Sequence, residues 1–405
     1  MTILNHNGNN SKIDFLNKKF IDNPYPAYAE IRKNDPVHRF LLPNGQFAWI
    51  ISRYKDAAKL LADSRFVTNY PVHSSIKGNL PPHQEIISRN LLSVDPKDHR
   101  RLRRLIQKAF TPKMVENLRG RIEEIAEELL FQVEHKQEIN LIEDYAFPLP
   151  IIVICEMLGV PLKDQEKFRE WSNVIMEGVS NPELSQKTEN AMISFIQYLE
   201  ELIAERRRHL QDDLISDLLR VEDEGDVLSE NELYALVFVL IIAGHETTVN
   251  LIGNGILALL EHPEQKEKLV SHPELIHGAI EEILRYNGPA EVSNVRFATV
   301  DVIIEGKHIK KGDMVFIALA AANRDDNHFI EPDSFDITRE ANTHIAFGKG
   351  VHFCLGAPLA RLEGEIAINK LLKKIPQIKL KEDLNTIEWR PGIIIRGAKE
   401  IPLTF

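Results

Sequence analysis

The chain has 405 residues, of which 43% are hydrophobic and 27% charged, and its formal net charge is −11. This composition is typical of a globular protein with a sizeable core, and the acidic balance disfavours a general role in nucleic-acid binding. No Gly/Ser-rich linker, internal repeat or low-complexity run divides the sequence, so we expect one domain spanning residues 1–405.

The beginning of the sequence is polar and contains no apolar stretch of the kind that a secretory leader needs. The longest apolar run, 236–243, is far shorter than the roughly 20 residues that cross a bilayer. We therefore expect neither a leader nor a membrane anchor. Two cysteines cannot form a disulfide framework, which favours the reducing cytoplasm.

Sequence periodicity predicts a short β-rich segment followed by many helices. Apolar segments at 37–41 and 47–52 flank a Pro-Asn-Gly turn, which is typical of a β-hairpin. Apolar residues then recur every three or four positions at 114–133 and 194–208, and again at about 230–260. The last of these is the longest predicted helix, and its first half is almost entirely apolar.

Two further β-rich segments are predicted towards the carboxyl end. Apolar residues alternate around glycines within 296–319, and a last β region is expected within 393–405, beginning at 393–396. Because helices dominate and small sheets lie near both ends, we expect a mainly α protein of the α+β class.

The two cysteines have different surroundings. Cys155 lies in an apolar segment and has the pattern of a buried, inert thiol. Cys354 follows Gly348 and Gly350 and precedes an amphipathic helix predicted at 359–373.

Several functions compete for Cys354. A zinc site lacks a second ligand pair, and a phosphate loop lacks its six-residue frame and its Lys-Ser/Thr end. A cysteine nucleophile paired with His352, a buried thiol and a thiolate ligand to haem iron all stay open. The start of a helix supplies the N–H groups that stabilise a thiolate, and glycines let a flat macrocycle approach.

The stretch Phe347–Gly356, FGKGVHFCLG, resembles the cysteine loop of cytochromes P450, F-G-x-G-x-H-x-C-x-G. Three more motifs follow the order and spacing of that family: AGHETT at 243–248, Glu282-x-x-Arg285, and DPKDHRRLR at 95–103. The resemblance covers essentially the whole chain and is closest to the soluble bacterial macrolide- and polyketide-hydroxylase group and related Bacillus-type enzymes.

The resemblance implies the cytochrome P450 fold and a haem b (iron protoporphyrin IX) cofactor with Cys354 as the axial thiolate ligand. Four basic residues are implied to contact the haem propionates: His99, Arg103, Arg296 and His352. Three residues are implied to lie against the macrocycle: Ala243, Gly244 and Gly356. The alternatives are a helix-cap histidine for His99 and a surface arginine on an edge strand for Arg296.

Glu246 and Thr247 are implied to relay protons to dioxygen as the catalytic residues. An acid and a hydroxyl inside an apolar helix are costly unless they are used, and Thr247 can bond back to the carbonyl of Ala243. If that bond is diverted, we expect the helix to open beside Gly244. The alternative is a capped kink without chemistry, and His245 is expected to face elsewhere.

The Glu282-x-x-Arg285 motif is expected to be a buried structural ion pair, with Arg339 as a third member. Two positions depart from the family pattern. Lys97 replaces the second proline of a frequent D-P-P, and Ser334 replaces the arginine of P-E-R-F, which leaves the role of Arg339 open.

A basic stripe stands out in this acidic chain, since 97–113 holds seven Lys or Arg residues and one acid. We expect a docking patch for an acidic electron donor, a ferredoxin or flavodoxin with its reductase. The alternative is a solvated helix face. The patch is predicted to contain four residues: Arg100, Arg104, Lys108 and Lys349.

The resemblance implies a monomeric monooxygenase that inserts one oxygen atom of O2 into a C–H bond of a lipophilic molecule, such as a macrolide, polyketide, terpenoid or fatty acid. By family position, segments 69–92 and 171–189 are implied to line its pocket. Four single residues are predicted to join them: Val239, Ala243, Val292 and Ile394. The alternatives are a peroxide-driven hydroxylase and a non-catalytic haem-thiolate sensor or ligand carrier.

Overall fold

The computed structural model describes seven parts of the chain: residues 14–15, 17–42, 45–69, 89–94, 96–180, 185–221 and 225–405. Helices dominate these parts and the strands are short, so the predicted mainly α architecture is confirmed.

The α-helices of the described residues follow one another along the whole chain. In chain order they are α1 Lys18–Asp22, α2 Tyr25–Asn34, α3 Tyr54–Leu61, α4 Pro96–Ala109, α5 Pro112–Asn117, α6 Arg119–Val133, α7 Pro148–Met157, α8 Gln165–Ser180, α9 Ser185–Arg208, α10 Leu214–Arg220, α11 Glu230–Glu261, α12 Pro263–Ser271, α13 Ile276–Asn287, α14 Leu319–Ala322 and α15 Ala357–Lys374. A π-helical turn at Ile142–Ala146 precedes α7.

The strands are β1 Val37–Leu41, β2 Phe47–Ile51, β3 Phe66–Val67, β4 Glu138–Asn140, β5 Arg296–Ala298, β6 Val302–Ile304, β7 Lys307–Ile309, β8 Met314–Ile317, β9 Lys379–Leu380 and β10 Pro402–Thr404. They form sheets in the orders β1-β2-β8-β5-β3, β4-β10-β9 and β6-β7. Every neighbouring pair is antiparallel except β2 and β8, which run parallel with Trp49 opposite Val315.

The predicted hairpin forms as β1 and β2, although its turn residues Pro43 and Asn44 lie outside the described residues. The predicted strand at 393–396 is wrong, because only Ile395 makes an isolated bridge, to Ala290. The strand of this region lies further on, at β10.

The predicted helix at 114–133 is divided. Leu118 ends α5 and begins α6, and Thr111 caps the first of these helices with its side chain. The periodicity predicts this region as one helix because both halves direct apolar residues into the same core cluster.

The long helix α11 crosses the largest core cluster and packs against α7, α13 and α15. It begins with a capping box, in which Ser229 and Glu232 satisfy each other's backbone N–H groups. By length and composition α11 could cross a membrane, but 61% of its most apolar window is buried inside the protein.

Candidate functional site

A cavity of about 390 Å³ lies between α11 and the loop that carries Cys354. Helices α4, α11 and α15, strand β5 and the segment after α13 contribute to its wall. The wall includes all four single residues predicted for the pocket: Val239, Ala243, Val292 and Ile394.

Only one of the two predicted pocket segments contributes described residues to this wall. Leu91 and Leu92 line the cavity, whereas residues 70–88 lie outside the described part of the chain. Within 171–189 the described residues do not line it. Trp171 packs instead against Phe168 and Phe195, in the core between α8 and α9.

The loop before α15 presents Cys354 to the cavity. Its backbone N–H donates to the carbonyl of Phe347 at 3.0 Å. Burial raises the pKa of the Cys354 thiol, whereas backbone hydrogen bonds from Gly356 and Ala357 and the Arg103 guanidinium act to lower it. These donors are the groups that would stabilise a thiolate once a metal holds the sulfur.

Two glycines allow the loop to take this path. Gly348 and Gly350 have φ of +72° and +77°, values that other residues rarely adopt. A Cβ at Gly350 would also lie 3.0 Å from the Leu61 carbonyl oxygen and the Ala62 Cα. Cys155, by contrast, is buried in α7, where burial raises its pKa to about 12 and keeps it a neutral thiol.

Four basic side chains meet at one side of the cavity, and we call them the basic edge: His99, Arg103, Arg296 and His352. The rings of His99 and His352 lie 4.2 Å apart between centroids. Arg296 donates to the Phe66 carbonyl at 3.4 Å, but its Nε and the Nδ1 of His99 are buried without a partner among the described residues.

The basic edge has no counter-charge within the described part of the chain. Burial, together with the nearby Arg296, His99 and Arg103, lowers the pKa of His352 to about 3. Burial and neighbouring arginines lower the pKa of His99, and burial lowers that of Arg296, with no carboxylate opposing these shifts. The cations of this edge are the half-buried Arg103 and the buried Arg296, and a buried cation without an acid is costly unless an anion completes the site.

The two alternatives for these residues do not match the structure. Arg296 begins β5, which lies between β8 and β3 rather than at a sheet edge, and it is 5% exposed. His99 is buried within α4 and is not a helix cap. A cavity with a thiol in its wall and, along one edge, two arginines and two histidines with unpartnered donor groups on Arg296 and His99 fits a macrocycle that carries two carboxylates.

Thr247 on α11 donates its hydroxyl to the Ala243 carbonyl at 2.7 Å, and Thr248 donates to the Gly244 carbonyl at 2.9 Å. The first of these bonds is the back-bond anticipated for Thr247. Because this bond is formed and not diverted, the condition for an opening beside Gly244 is not met, and α11 is continuous there.

Glu246 also lines the cavity, and its carboxylate lies 3.6 Å from the Arg390 guanidinium. Burial raises the pKa of Glu246 and Arg390 opposes that shift. His245 faces away from the cavity, towards Ser172 and the Phe147 carbonyl, and burial lowers its pKa to about 4.

Sequence reasoning missed Glu363, a buried acid of α15 that lines the cavity. Burial raises its pKa to about 8, although a hydrogen bond with Thr248 acts in the opposite direction. The sequence does contain an indication of this position. Glu363 is four residues from both Leu359 and Ala367, so the helical repeat predicts it on the same buried face as these two residues.

Glu282 is fully buried and joins three side chains, and we call this group the Glu282 cluster: Glu282, Arg285, Arg339 and Asn342. Arg285 donates to both carboxylate oxygens at 2.8 Å, and Arg339 Nε lies 3.1 Å from one of them. Ser334, which departs from the family pattern, contributes its carbonyl to Arg285 and Arg339.

The predicted docking patch is exposed: Arg100, Arg104 and Lys108 recur along α4, and Lys349 lies in the cysteine loop. Arg101, which belongs to the same basic stripe, instead forms ion pairs with Asp226 and Glu232 near the start of α11. The stripe therefore contains an exposed row, Arg101, which ties α4 to α11, and Arg103, which belongs to the basic edge of the cavity.

The sequence profile of the Cytochrome P450 family matches residues 22–274 and 268–396. The chain is 44% identical over 391 residues to a "Cytochrome P450" of Bacillus subtilis strain 168, covering 96% of this chain and 95% of that protein. It is also similar to the solved structure of the "Bacillus subtilis 168 Bacillaene Polyketide Synthase (PKS) Cytochrome P450 PksS", at 43% identity and a TM-score of 0.90 over 97% and 99% of the two chains.

A further similar structure is "P450BioI in complex with hexadec-9Z-enoic acid ligated Acyl Carrier Protein". The identity is 39% and the TM-score 0.88, and the match covers 96% of this chain and 99% of the other. These relatives span nearly the full length of the chain.

Proposed function

The chain belongs to the cytochrome P450 family and is a haem-thiolate monooxygenase, and from that premise we propose that it hydroxylates a lipophilic substrate of the polyketide or fatty-acyl type. Cys354 is the proposed axial ligand and the basic edge the proposed site of the two haem propionates. The haem would supply dioxygen activation, for which a thiolate ligand favours O–O cleavage. With two electrons from a redox partner and two protons, one oxygen atom would enter a C–H bond and the other would leave as water.

The observation that carries this proposal is the composition of the cavity wall. It brings a cysteine that receives backbone hydrogen bonds, a basic edge whose members pair with no carboxylate among the described residues, and a largely apolar wall into one space. An apolar wall with few polar groups binds lipophilic molecules chiefly by excluding water. The names of the two similar structures, one from polyketide synthesis and one with a fatty acid on a carrier protein, support the substrate class.

A ligand panel tests the substrate class. Polyketides, macrolides, terpenoids and fatty acids would be titrated into the haem-loaded protein, with the Soret shift as the binding signal and mass spectrometry of turnover mixtures as the second measurement. We expect saturable shifts and hydroxylated product with polyketide or fatty-acyl ligands. Product only from terpenoids would overturn the substrate class and leave the monooxygenase assignment intact.

We propose that Glu246 and Thr247 relay protons into the cavity. Glu246 is a largely buried acid whose pKa is raised by burial, and its carboxylate contacts Arg390, a side chain that is 35% exposed. The Thr247 hydroxyl can release the Ala243 carbonyl and pass a proton on. The contact of Glu246 with a partly exposed side chain and its place in the cavity wall support the proposed relay.

Thr247→Ala tests this relay. We expect product per NAD(P)H consumed to fall by about 10²-fold, because positioned proton transfer contributes about 10²–10⁴-fold. Ser172→Ala, which alters a neighbour of His245 outside the relay, is the control. Hydrogen peroxide-supported turnover that Thr247→Ala leaves unchanged would favour the peroxide-driven hydroxylase. Absence of any product with competent redox partners would favour a sensor or carrier.

We propose that the exposed row on α4, with Lys349, docks a ferredoxin or flavodoxin, and that the protein acts as a cytoplasmic monomer. Arg100→Glu/Arg104→Glu should slow reduction of the haem and weaken its salt dependence. Lys310→Glu/Lys311→Glu makes the same charge reversal at an exposed turn and is the matched control. Equal reduction rates in both double variants would remove the docking patch.

A further inference from the structure

Glu281 stands next to Glu282 on α13 but faces a different set of partners. Its carboxylate accepts hydrogen bonds from Arg361 Nε at 2.6 Å and Arg361 Nη2 at 2.9 Å, and lies 3.2 Å from His344 Nε2. Burial alone would raise its pKa, but Arg361 and His344 lower the pKa of Glu281 to about 2. Glu281 is therefore a permanent anion that holds two cationic or donor groups.

These partners contact the cysteine loop directly. The Arg361 guanidinium lies 4.6 Å from the centroid of the Phe347 ring, and His344 Nδ1 accepts the Ala346 N–H at 3.2 Å. Phe347 is the residue whose carbonyl accepts the N–H of Cys354. We call Glu281, His344, Phe347 and Arg361 the Glu281 clamp.

The Glu281 clamp also places charge near the sulfur. Arg361 holds its cation 4.6 Å from the centroid of the ring of Phe347, whose carbonyl accepts the Cys354 N–H, and Glu281 accompanies that cation as the fixed counter-charge. A bidentate pair fixes the guanidinium plane more firmly than a single contact would. The cation is thus held by Glu281 at a defined place beside the loop.

We propose that Glu281 and Arg361 are positioning residues that fix the cysteine loop and set the positive potential at Cys354, and thereby the electron donation of the proposed ligand. This inference rests on Cys354 being the axial ligand. Arg361 lowers the electron donation of the sulfur, and Glu281 partly cancels that effect. The two residues therefore act on the reduction equilibrium of the haem with opposite signs.

The test measures the reduction potential of the haem-loaded protein and the Soret band of its ferrous carbonyl form. Arg361→Gln removes a cation near the sulfur and should shift the reduction equilibrium towards the oxidised state, by roughly five- to tenfold. Glu281→Gln leaves the cation without its counter-charge and should shift the equilibrium the other way. The double variant Glu281→Gln/Arg361→Gln should return close to the parent value.

Two further variants keep the test decisive. Glu365→Gln removes a carboxylate from the same helix, at an ion pair with the exposed His277, and should leave the potential unchanged. Arg361→Lys keeps the positive charge but cannot make both hydrogen bonds to the Glu281 carboxylate. We therefore expect a reduction potential close to that of the parent, and a weaker thiolate-type carbonyl band because the cysteine loop is held less firmly. If Arg361→Gln does not hold haem, Glu281→Gln decides alone, since no shift, or a shift towards the oxidised state, would overturn the proposal.

Shifts of the same sign in both single variants, or none in either, would overturn the proposal. A parent protein that lacks the thiolate-type carbonyl band would instead refute the assignment of Cys354. Failure of the inference and failure of the proposed function are therefore distinguishable.

Discussion

The Glu282 cluster and the basic edge of the cavity handle buried charge in opposite ways. In the Glu282 cluster one carboxylate receives two arginines and an amide, and both of its oxygens are satisfied. In the basic edge four basic groups meet without a carboxylate among the described residues. The first cluster is complete within the chain and stabilises it, whereas the second is complete only with a ligand.

This difference separates a structural charge from a binding one. Removing one partner from a completed buried pair leaves a bare charge in the core. Removing one cation from an uncompleted set relieves repulsion in the empty chain and harms only the ligand-bound form. The signs of these effects on the free energy of unfolding can be measured.

The largest effect is expected at the cysteine beside the basic edge. Cys354→Ser should abolish the red-shifted Soret band of the thiolate-ligated ferrous carbonyl form, because no other described cysteine lines the cavity. Cys155→Ala, at the buried thiol of α7, should keep that band. Difference spectra of the two variants check this, and an unchanged band in Cys354→Ser would contradict the site.

Breaking the completed cluster is expected to cost the most stability. Glu282→Gln leaves Arg285 buried and unpaired, so we expect the free energy of unfolding to fall by about 3–5 kcal/mol. Urea titrations followed by circular dichroism measure this loss. Glu365→Gln, which breaks a surface pair, should cost at most about 1 kcal/mol. Equal losses would show that burial does not distinguish the two pairs.

Glu291 is an intermediate case, a buried acid whose Oε1 has no partner although Arg396 and Tyr28 are near. Burial raises its pKa to about 7, against the opposing effects of Arg396 and Tyr28. The folded chain thus keeps a proton that the unfolded chain loses above about pH 4.3. Stability from this group is complete below that pH and is lost as the pH rises to about 7.

Glu291→Gln removes this dependence. Relative to the parent, the variant should gain about 3 kcal/mol of stability between about pH 4.5 and pH 7.5, with no further gain above. Thermal unfolding of both proteins across this range is the measurement. If the stabilities of the parent and the variant changed with pH in the same way, the pKa of Glu291 would be the same in the folded and the unfolded chain, which would contradict this prediction.

The smallest expected effect concerns a single member of the basic edge. Arg296→Gln should weaken haem binding roughly ten- to hundredfold, the equivalent of about 1.5–3 kcal/mol for one charge-assisted hydrogen bond. The haem-free variant should be at least as stable as the haem-free parent, since Arg296 has no acidic partner there. Transfer of haem to an acceptor protein and unfolding of the haem-free chains give the two values.

Arg53→Gln is the matched control, because Arg53 pairs with Glu305 at an exposed site away from the cavity. If the free energy of unfolding of haem-free Arg296→Gln is lower than that of the haem-free parent, Arg296 stabilises the fold itself, as the residues of the Glu282 cluster do. That result would remove the distinction between the two clusters.

Local sequence determined the helical class, the hairpin and the extent of α11, because these follow from periodicity and turn residues within a short window. It also located Cys354, since a loop of glycines before a helix is a local pattern. The spacing of Glu282 and Arg285 likewise indicates a pair on one helix face.

Tertiary structure alone decided the rest. The predicted strand at 393–396 depends on pairing with a distant segment, and only Ile395 finds a partner there, Ala290. Glu363 reaches the cavity only because α15 packs against α11. The members of the basic edge come from α4, β5 and the cysteine loop. Electrostatic energy depends on the distance between groups in space and not on their separation along the chain. Sequence alone therefore could not show that these basic groups have no acidic partner.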